Sequence, residues 1–162
     1  MNIRLRAMTA KEYEDFYEYS IIHHADELME EINLTADEAM AETEKELQEM
    51  LPDGLETKDN CLMTIEDAAD HRTVGFIWYL SERTDGVKQA FLCDFVIYHQ
   101  ERRKGYATAA LREMEKLARR RGCTESVLFV SHVNLPARNL YAGCGYVFLK
   151  KGDYGEFLKK KL

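Results

Sequence analysis

The sequence predicts one α/β (or α+β) domain built on a mixed β-sheet, and three observations support this class. Capping-box patterns at residues 9–12 and 35–38 each open a segment with apolar residues at helical spacing. From residue 61 onward β-rich runs take over, with the hairpin signal Asp85-Gly86 between two of them. Further along the chain, helix and strand patterns alternate. The order gives six or seven strands and about four helices.

Each predicted element has a local cause. The strand at residues 89–98 is apolar on both faces, which places it in the middle of the sheet, and only Asp94 interrupts it. The helix at residues 105–121 ends at Gly122. The second helix places five residues at the spacing typical of one buried face, namely Met40, Thr43, Leu47, Met50 and Leu51. The other strands are expected at residues 3–6, 61–65, 73–80, 126–130, 146–150 and 154–158, and the last helix at residues 134–142.

Composition limits the class of protein. With 162 residues, 46% apolar and 31% charged, the chain is globular rather than disordered or repetitive. No apolar run approaches a membrane span, and residues 1–6 do not resemble a signal peptide. The four cysteines lie far apart, and the five histidines show no ligand spacing. We therefore expect no metal site, no disulfide and a cytoplasmic location.

Charge is divided unevenly along the chain. Residues 1–70 hold 5 basic and 20 acidic residues, whereas residues 71–162 hold 17 basic and 9 acidic residues. This division indicates one half that meets cations and another that meets an anion. A surface whose two halves merely neutralise each other explains the same numbers about equally well.

The segment most informative about function is residues 100–107, between the central strand and the helix that follows it. The first N–H groups of a helix lack intrahelical partners, and a strand leading into such a helix typically forms a phosphate site. Gly105 allows close approach of a ligand, and Arg102, Arg103 and Lys104 add positive charge. The alternative is a solvated cationic surface. Neither a Walker A loop nor a dinucleotide fingerprint is present.

Two motifs together resemble the GNAT family of N-acetyltransferases. Residues 102–107 resemble its [Q/R]-x-x-G-x-[G/A] signature, and residues 134–146 resemble its N-x-x-A-x-x-L-Y-x-x-x-G-[F/Y] segment, at the separation usual in the family. The resemblance covers the whole chain. It implies a mostly antiparallel sheet in which two parallel strands splay apart at the cofactor site. It also implies acetyl-CoA as the donor, so the cationic half would meet a polyanionic cofactor.

The resemblance assigns cofactor contacts to three segments. Backbone N–H groups at the start of the helix would hold the pyrophosphate, the central strand would pair with the pantetheine arm, and basic side chains would lie near the 3′-phosphate. Asn134 either contacts the cofactor or caps the helix that it precedes. The expected cofactor-binding residues are Phe95, Val96, Ile97, Arg102, Arg103, Lys104, Gly105, Tyr106, Ala107, Thr108, Asn134, Arg138 and Tyr141.

Two residues are candidates for the chemical step. Tyr141 matches the family's frequent general acid for the CoA sulfur, with a structural core tyrosine as the alternative. Asp94 is a carboxylate in an apolar strand and is a candidate base or amine anchor, with a structural carboxylate as the alternative. Some family members carry a catalytic glutamate at the position of Phe91, where this chain has none. Deprotonation through water is therefore also an option.

The expected reaction is direct acetyl transfer to a primary amine. The resemblance assigns the shaping of the acceptor site to the first two helices, within residues 1–58, and the cofactor-binding core to residues 59–162. Because those helices are acidic, we expect a cationic small amine or a basic peptide as acceptor. The alternative function is a catalytically silent acetyl-CoA sensor or partner module. No nucleic-acid or membrane partner is expected, and the resemblance also admits a homodimer.

Overall fold

A computed structural model describes all 162 residues as seven strands and four helices, which confirms the expected fold class. The strands are β1 Ile3–Ala7, β2 Asn60–Asp67, β3 Thr73–Thr84, β4 Val87–Ile97, β5 Glu125–Ser131, β6 Val147–Lys151 and β7 Gly155–Lys161. The helices are α1 Ala10–Glu31, α2 Ala36–Met50, α3 Tyr106–Arg120 and α4 Leu135–Gly143. None of the helices is long and apolar enough to cross a membrane.

The backbone divides into two compact units. One comprises Met1–Ala7 and Cys61–Leu162, and the other comprises Met8–Asn60. The first unit holds the whole sheet, in the order β1-β2-β3-β4-β5-β7-β6. The pairs β1–β2, β3–β4, β5–β7 and β6–β7 are antiparallel, and β4–β5 is parallel. The apolar strand β4 is therefore central, as predicted.

The core of the sheet unit forms where α3 covers the sheet. Ala110, Leu111, Met114 and Ala118 of α3 are completely buried, together with strand residues that include Ile65, Val74 and Ile77. Alanine at two of these helix positions lets the helix axis approach the sheet closely. Burial of a side chain as large as Met114 contributes about 1.5–3 kcal/mol. The core therefore fixes α3, and with it the loop that leads into α3.

The unit of residues 8–60 contains α1 and α2, and both predicted capping boxes are present. Thr9 and Thr35 each accept a hydrogen bond from the N–H of the glutamate three residues on, at 3.2 Å. The carboxylate of each glutamate accepts from the threonine N–H at 2.8 Å. Of the residues expected on the buried face of α2, Thr43, Leu47 and Leu51 are buried, but the expectation was wrong for Met40 and Met50, which are 41% and 45% exposed.

The hairpin between β3 and β4 has the predicted turn. Asp85 and Gly86 both have left-handed backbones, with φ of 51° and 81°. Two consecutive positive φ values match the right-handed twist of the flanking strands. The hairpin lengthens β3 to Thr84, beyond the expected end at residue 80.

Gly75 provides a test of how closely β3 and β4 approach. A Cβ built at Gly75 would lie 2.0 Å from the carbonyl oxygen of Val96, whereas a Cβ at Gly143 in α4 would meet nothing within 4 Å. We predict that Gly75→Ala lowers the free energy of unfolding by about 1–3 kcal/mol. The control Gly143→Ala should be neutral or stabilising by up to about 1 kcal/mol. Urea unfolding measures both, and equal stability of the two variants would contradict the close approach.

Candidate active site

The pairing of the two parallel strands stops halfway along them. Residues 89–92 of β4 pair with residues 125–128 of β5, ending at Leu92 and Leu128. β4 continues to Ile97 without a partner on that side, while β5 continues to Ser131 and pairs only with β7. The two strands thus splay as the resemblance implied. Backbone N–H and C=O groups along the open part of β4 can pair with an extended ligand.

A β-bulge lies at the point where the strands part. On β3, Trp78 faces Asp94 while the next residue, Tyr79, faces Leu92, so Cys93 is the extra residue. The bulge reverses the alternation of side chains along β4. Leu92 before it and Ile97 after it both belong to the core. The side-chain alternation of an unbroken strand therefore does not continue past residue 93.

The bulge also sets the position of Asp94. Its side chain is half-buried, and Oδ1 accepts a hydrogen bond from the N–H of Phe95 at 2.9 Å.

Burial raises the pKa of the neighbouring Cys93 thiol to about 12. The thiol therefore stays protonated and is a poor nucleophile.

The loop between β4 and α3 has the backbone of an anion site. Arg103 and Gly105 both have positive φ, 62° and 88°. No side chain caps α3, so the N–H groups of Tyr106, Ala107 and Thr108 have no acceptor within the helix or from a capping residue. Those groups lie at the positive end of the helix dipole. The loop therefore fits the phosphate role that the sequence predicts.

The cationic side chains expected around the cofactor are mostly engaged within the protein. Arg102 donates from Nε to the carbonyl of Ile97 at 3.1 Å. Lys104 pairs with Glu101 at 3.1 Å, and Arg138 with Glu156 at 3.2 Å. Arg103 is exposed. At the loop, only the charge of Lys104 is offset by a carboxylate, because the acceptor of Arg102 is a neutral carbonyl.

The side chain of Tyr106 has a structural role. It is buried, and its hydroxyl donates a hydrogen bond to Asp67 at the end of β2. This bond raises the pKa of Tyr106 and lowers the pKa of Asp67. Only the backbone N–H of Tyr106 therefore remains available for the predicted cofactor contact.

Tyr141 is a buried phenol whose surroundings favour the protonated form. Burial is the main cause that raises its pKa, and the negative charge of Asp94 adds to it. Its ring packs edge-on against Tyr146, with centroids 5.8 Å apart, and the Tyr146 hydroxyl lies 2.8 Å from Ser126 Oγ on β5. The structure thus brings the two predicted catalytic residues within electrostatic range of each other. The anchoring role of Tyr146 was not predicted from the sequence.

Residues with metal-ligating side chains do not gather into a site. No group of three or more histidine, cysteine, aspartate or glutamate residues could hold an ion, and all four cysteines are free thiols.

A mixed sheet that opens between two parallel strands, with an anion-type loop at the opening, defines the architecture of an acetyltransferase. Residues 13–146 match the Acetyltransferase (GNAT) family, and the chain belongs to that family. The uncharacterized N-acetyltransferase YycN of Bacillus subtilis is 30% identical over 146 residues, which cover 90% of this chain and 93% of YycN. The crystal structure of YycN has a TM-score of 0.83 at 29% identity and covers 94% of each chain.

Two more distant structures share the fold. PaiA N-acetyltransferase of Thermoplasma acidophilum, solved in complex with coenzyme A, has a TM-score of 0.72 at 17% identity and covers 100% of both chains. Spermidine N-acetyltransferase of Vibrio cholerae, solved with CoA and spermine, has a TM-score of 0.68 at 18% identity. It covers 99% of this chain and 94% of its own.

Asn134 serves as the N-cap of α4, one of the two roles that the sequence left open. Its side-chain oxygen accepts from the N–H of Ala137 at 3.2 Å. We predict that Asn134→Ala costs about 1 kcal/mol of stability in urea unfolding. Asn134→Asp keeps the acceptor and should restore stability. If Asn134 also contacts the cofactor, the aspartate variant will be stable yet bind CoA more weakly, because it adds a negative charge.

Proposed function

We propose that this protein transfers the acetyl group of acetyl-CoA to a primary amine by direct attack, with both substrates bound together. The observation that carries the proposal is the end of β4–β5 pairing at Leu92 and Leu128, followed along β4 by the loop into α3. An opened strand edge fits the amide-bearing arm of CoA, and a helix start fits its pyrophosphate. Family membership supports this assignment.

In the proposal, backbone groups contribute more to cofactor binding than side chains do. In the proposal, the open edge of β4 at Phe95, Val96 and Ile97 pairs with the pantetheine arm, and the N–H groups of residues 102–108 hold the pyrophosphate. The side chains of Arg102 and Lys104 contribute less in this proposal because each already donates a hydrogen bond to an acceptor of the protein. Arg103, which is exposed, is the side chain best placed to add charge.

Tyr141 and Asp94 share the proton transfers in the proposed reaction. Acetyl-CoA supplies the acetyl group as a thioester, so the C–N bond to the amine forms and the C–S bond breaks. Asp94 accepts the proton of the attacking amine, directly or through a water molecule. Tyr141 donates its hydroxyl proton to the departing sulfur and regains one from solvent. The raised pKa of Tyr141 keeps that proton in place at neutral pH.

Tyr141→Phe tests this role with the smallest change of shape. It removes the donor and keeps the ring that packs on Tyr146. We expect kcat to fall by about 10²-fold, while the Kd for CoA measured by calorimetry stays within twofold of wild type. Release of free CoA, followed with a thiol reagent, gives the rate. Unchanged kcat would contradict the assignment.

Release of free CoA by the wild-type protein in the presence of amines distinguishes an enzyme from a silent sensor. A protein that binds acetyl-CoA but releases no CoA with any amine would support the silent sensor instead.

The proposed acceptor class is a cationic amine, either a small polyamine or a basic peptide end. The unit of residues 8–60 holds 17 acidic and 3 basic residues. Lys11 is already paired with Asp15 at 2.9 Å. Burial, and then the charges of Glu27 and Glu30, raise the pKa of Glu31, as expected where like charges crowd. Such a surface attracts cations.

An amine panel tests the acceptor class. We predict that kcat/KM is highest for spermidine-like amines, is low for amino acids with acidic side chains, and falls as salt rises. Glu31→Gln should raise KM for the cationic amine, whereas the control Glu113→Gln, the same charge change on α3, should not. Preference for neutral or acidic amines, without weakening in salt, would contradict the cationic class while leaving the transferase assignment intact.

A further inference from the structure

The turn between β2 and β3, residues 67–72, is bonded to the loop before α3 at both ends of that loop. At the start of the loop, the guanidinium of Arg72 pairs with Glu101. At the end of the loop, the hydroxyl of Tyr106 donates to Asp67. Both carboxylates are buried, with Glu101 5% and Asp67 9% exposed. Buried and bonded groups of this kind hold one geometry.

The turn itself is well braced. The N–H of Asp67 donates to the carbonyl of Arg72 at 2.9 Å, and the N–H of His71 donates to the carbonyl of Asp67 at 3.0 Å. Asp67 Oδ1 also accepts from the N–H of Ala69 at 2.8 Å, and Asp70 Oδ1 from the N–H of Arg72 at 3.0 Å. The same carboxylate of Asp67 thus closes the turn and receives Tyr106. The turn is therefore a firm support for the loop.

The loop requires such a support because of its backbone. Arg103 has a φ of 62°, and Gly105 has a φ of 88°. A left-handed conformation costs a residue with a side chain about 1–2 kcal/mol. Such conformations persist where the surroundings over-determine them. Both left-handed residues lie between the two anchored residues, Glu101 and Tyr106.

Arg72 also offsets the negative charge of Glu101. The salt bridge to Arg72, and then that to Lys104, lower the pKa of Glu101, so this carboxylate is ionised at neutral pH. Without Arg72, a buried negative charge beside the loop would lose its main partner. That charge would repel an anion bound at the N–H groups of the loop.

We infer that Arg72 and Asp67 are positioning residues for the cofactor phosphates and act through Glu101 and Tyr106. The inference rests on the proposed function, because it takes the loop to be the pyrophosphate site. Neither residue needs to touch the cofactor. The turn between β2 and β3 thereby becomes part of the cofactor-binding apparatus.

The test uses two acetyl donors that differ in phosphate. S-Acetylpantetheine keeps the thioester and the arm of acetyl-CoA but lacks the pyrophosphate and the nucleotide. For Arg72→Gln and for Tyr106→Phe we expect kcat/KM with acetyl-CoA, and the affinity for CoA, to fall roughly five- to tenfold. With S-acetylpantetheine, kcat/KM should stay within twofold of wild type. Arg72→Lys retains the charge and should recover most of the affinity.

Arg6→Gln is the matched control. Arg6 pairs with Glu66 at 2.8 Å, and the Glu66 side chain is 7% exposed against 6% for Glu101. This pair joins β1 to β2 and makes no bond to the loop, and Glu66 keeps its contact with His71 of the turn, at 3.0 Å, when Arg6 is replaced. The control should cost similar thermal stability and leave the affinity for CoA unchanged.

Three outcomes would overturn the inference. The first is that Arg72→Gln and Tyr106→Phe bind CoA as tightly as wild type. The second is that both acetyl donors lose activity equally, which indicates a general structural role. The third is failure of the folded wild-type protein to bind CoA at all, which would overturn the proposed function as well.

Discussion

The end of parallel pairing between β4 and β5 is the constraint on which the candidate site depends. Up to Leu92 and Leu128 the strands form one continuous sheet, and beyond them β4 has a free side. The extra residue Cys93 lies at that point and bends the strand. Because β5 pairs with β7 along its whole length, the sheet stays continuous on that side while it opens between β4 and β5. An opening in the middle of a sheet is costly unless something pairs with it, so its presence favours a ligand.

The two candidate catalytic residues, Asp94 and Tyr141, also depend on the opening between β4 and β5. Asp94 comes directly after the bulge, and its negative charge adds to the effect of burial, which is the main cause of the raised pKa of Tyr141 on α4. In the proposed reaction Asp94 is the base, and Tyr141, whose raised pKa keeps its proton in place at neutral pH, is the acid. In that proposal the two groups move protons in opposite directions during one transfer.

Sequence reasoning succeeded where the cause was local and failed where it was distant. The capping boxes at Thr9 and Thr35 and the Asp85-Gly86 turn depend on neighbours within a few residues, and all three were predicted. The bulge at Cys93 depends on the register with β3, which a pattern along one strand does not contain. The hydrogen bond from Tyr106 joins residues 39 positions apart.

The charge that the loop can offer to a ligand likewise depends on contacts that the sequence does not show. The run Arg102, Arg103, Lys104 reads as three free cations, yet Arg102 and Lys104 bond to the protein itself. An ammonium that is paired with a carboxylate offers an anion less than its formal charge indicates, whereas a guanidinium that donates to a neutral carbonyl keeps its charge and loses only one donor. Backbone N–H groups carry no counter-charge and stay directed at one point as long as the loop is held. In the proposed function, the affinity of the loop for phosphate therefore depends on geometry as well as on charge, and the turn at residues 67–72 is inferred to hold that geometry.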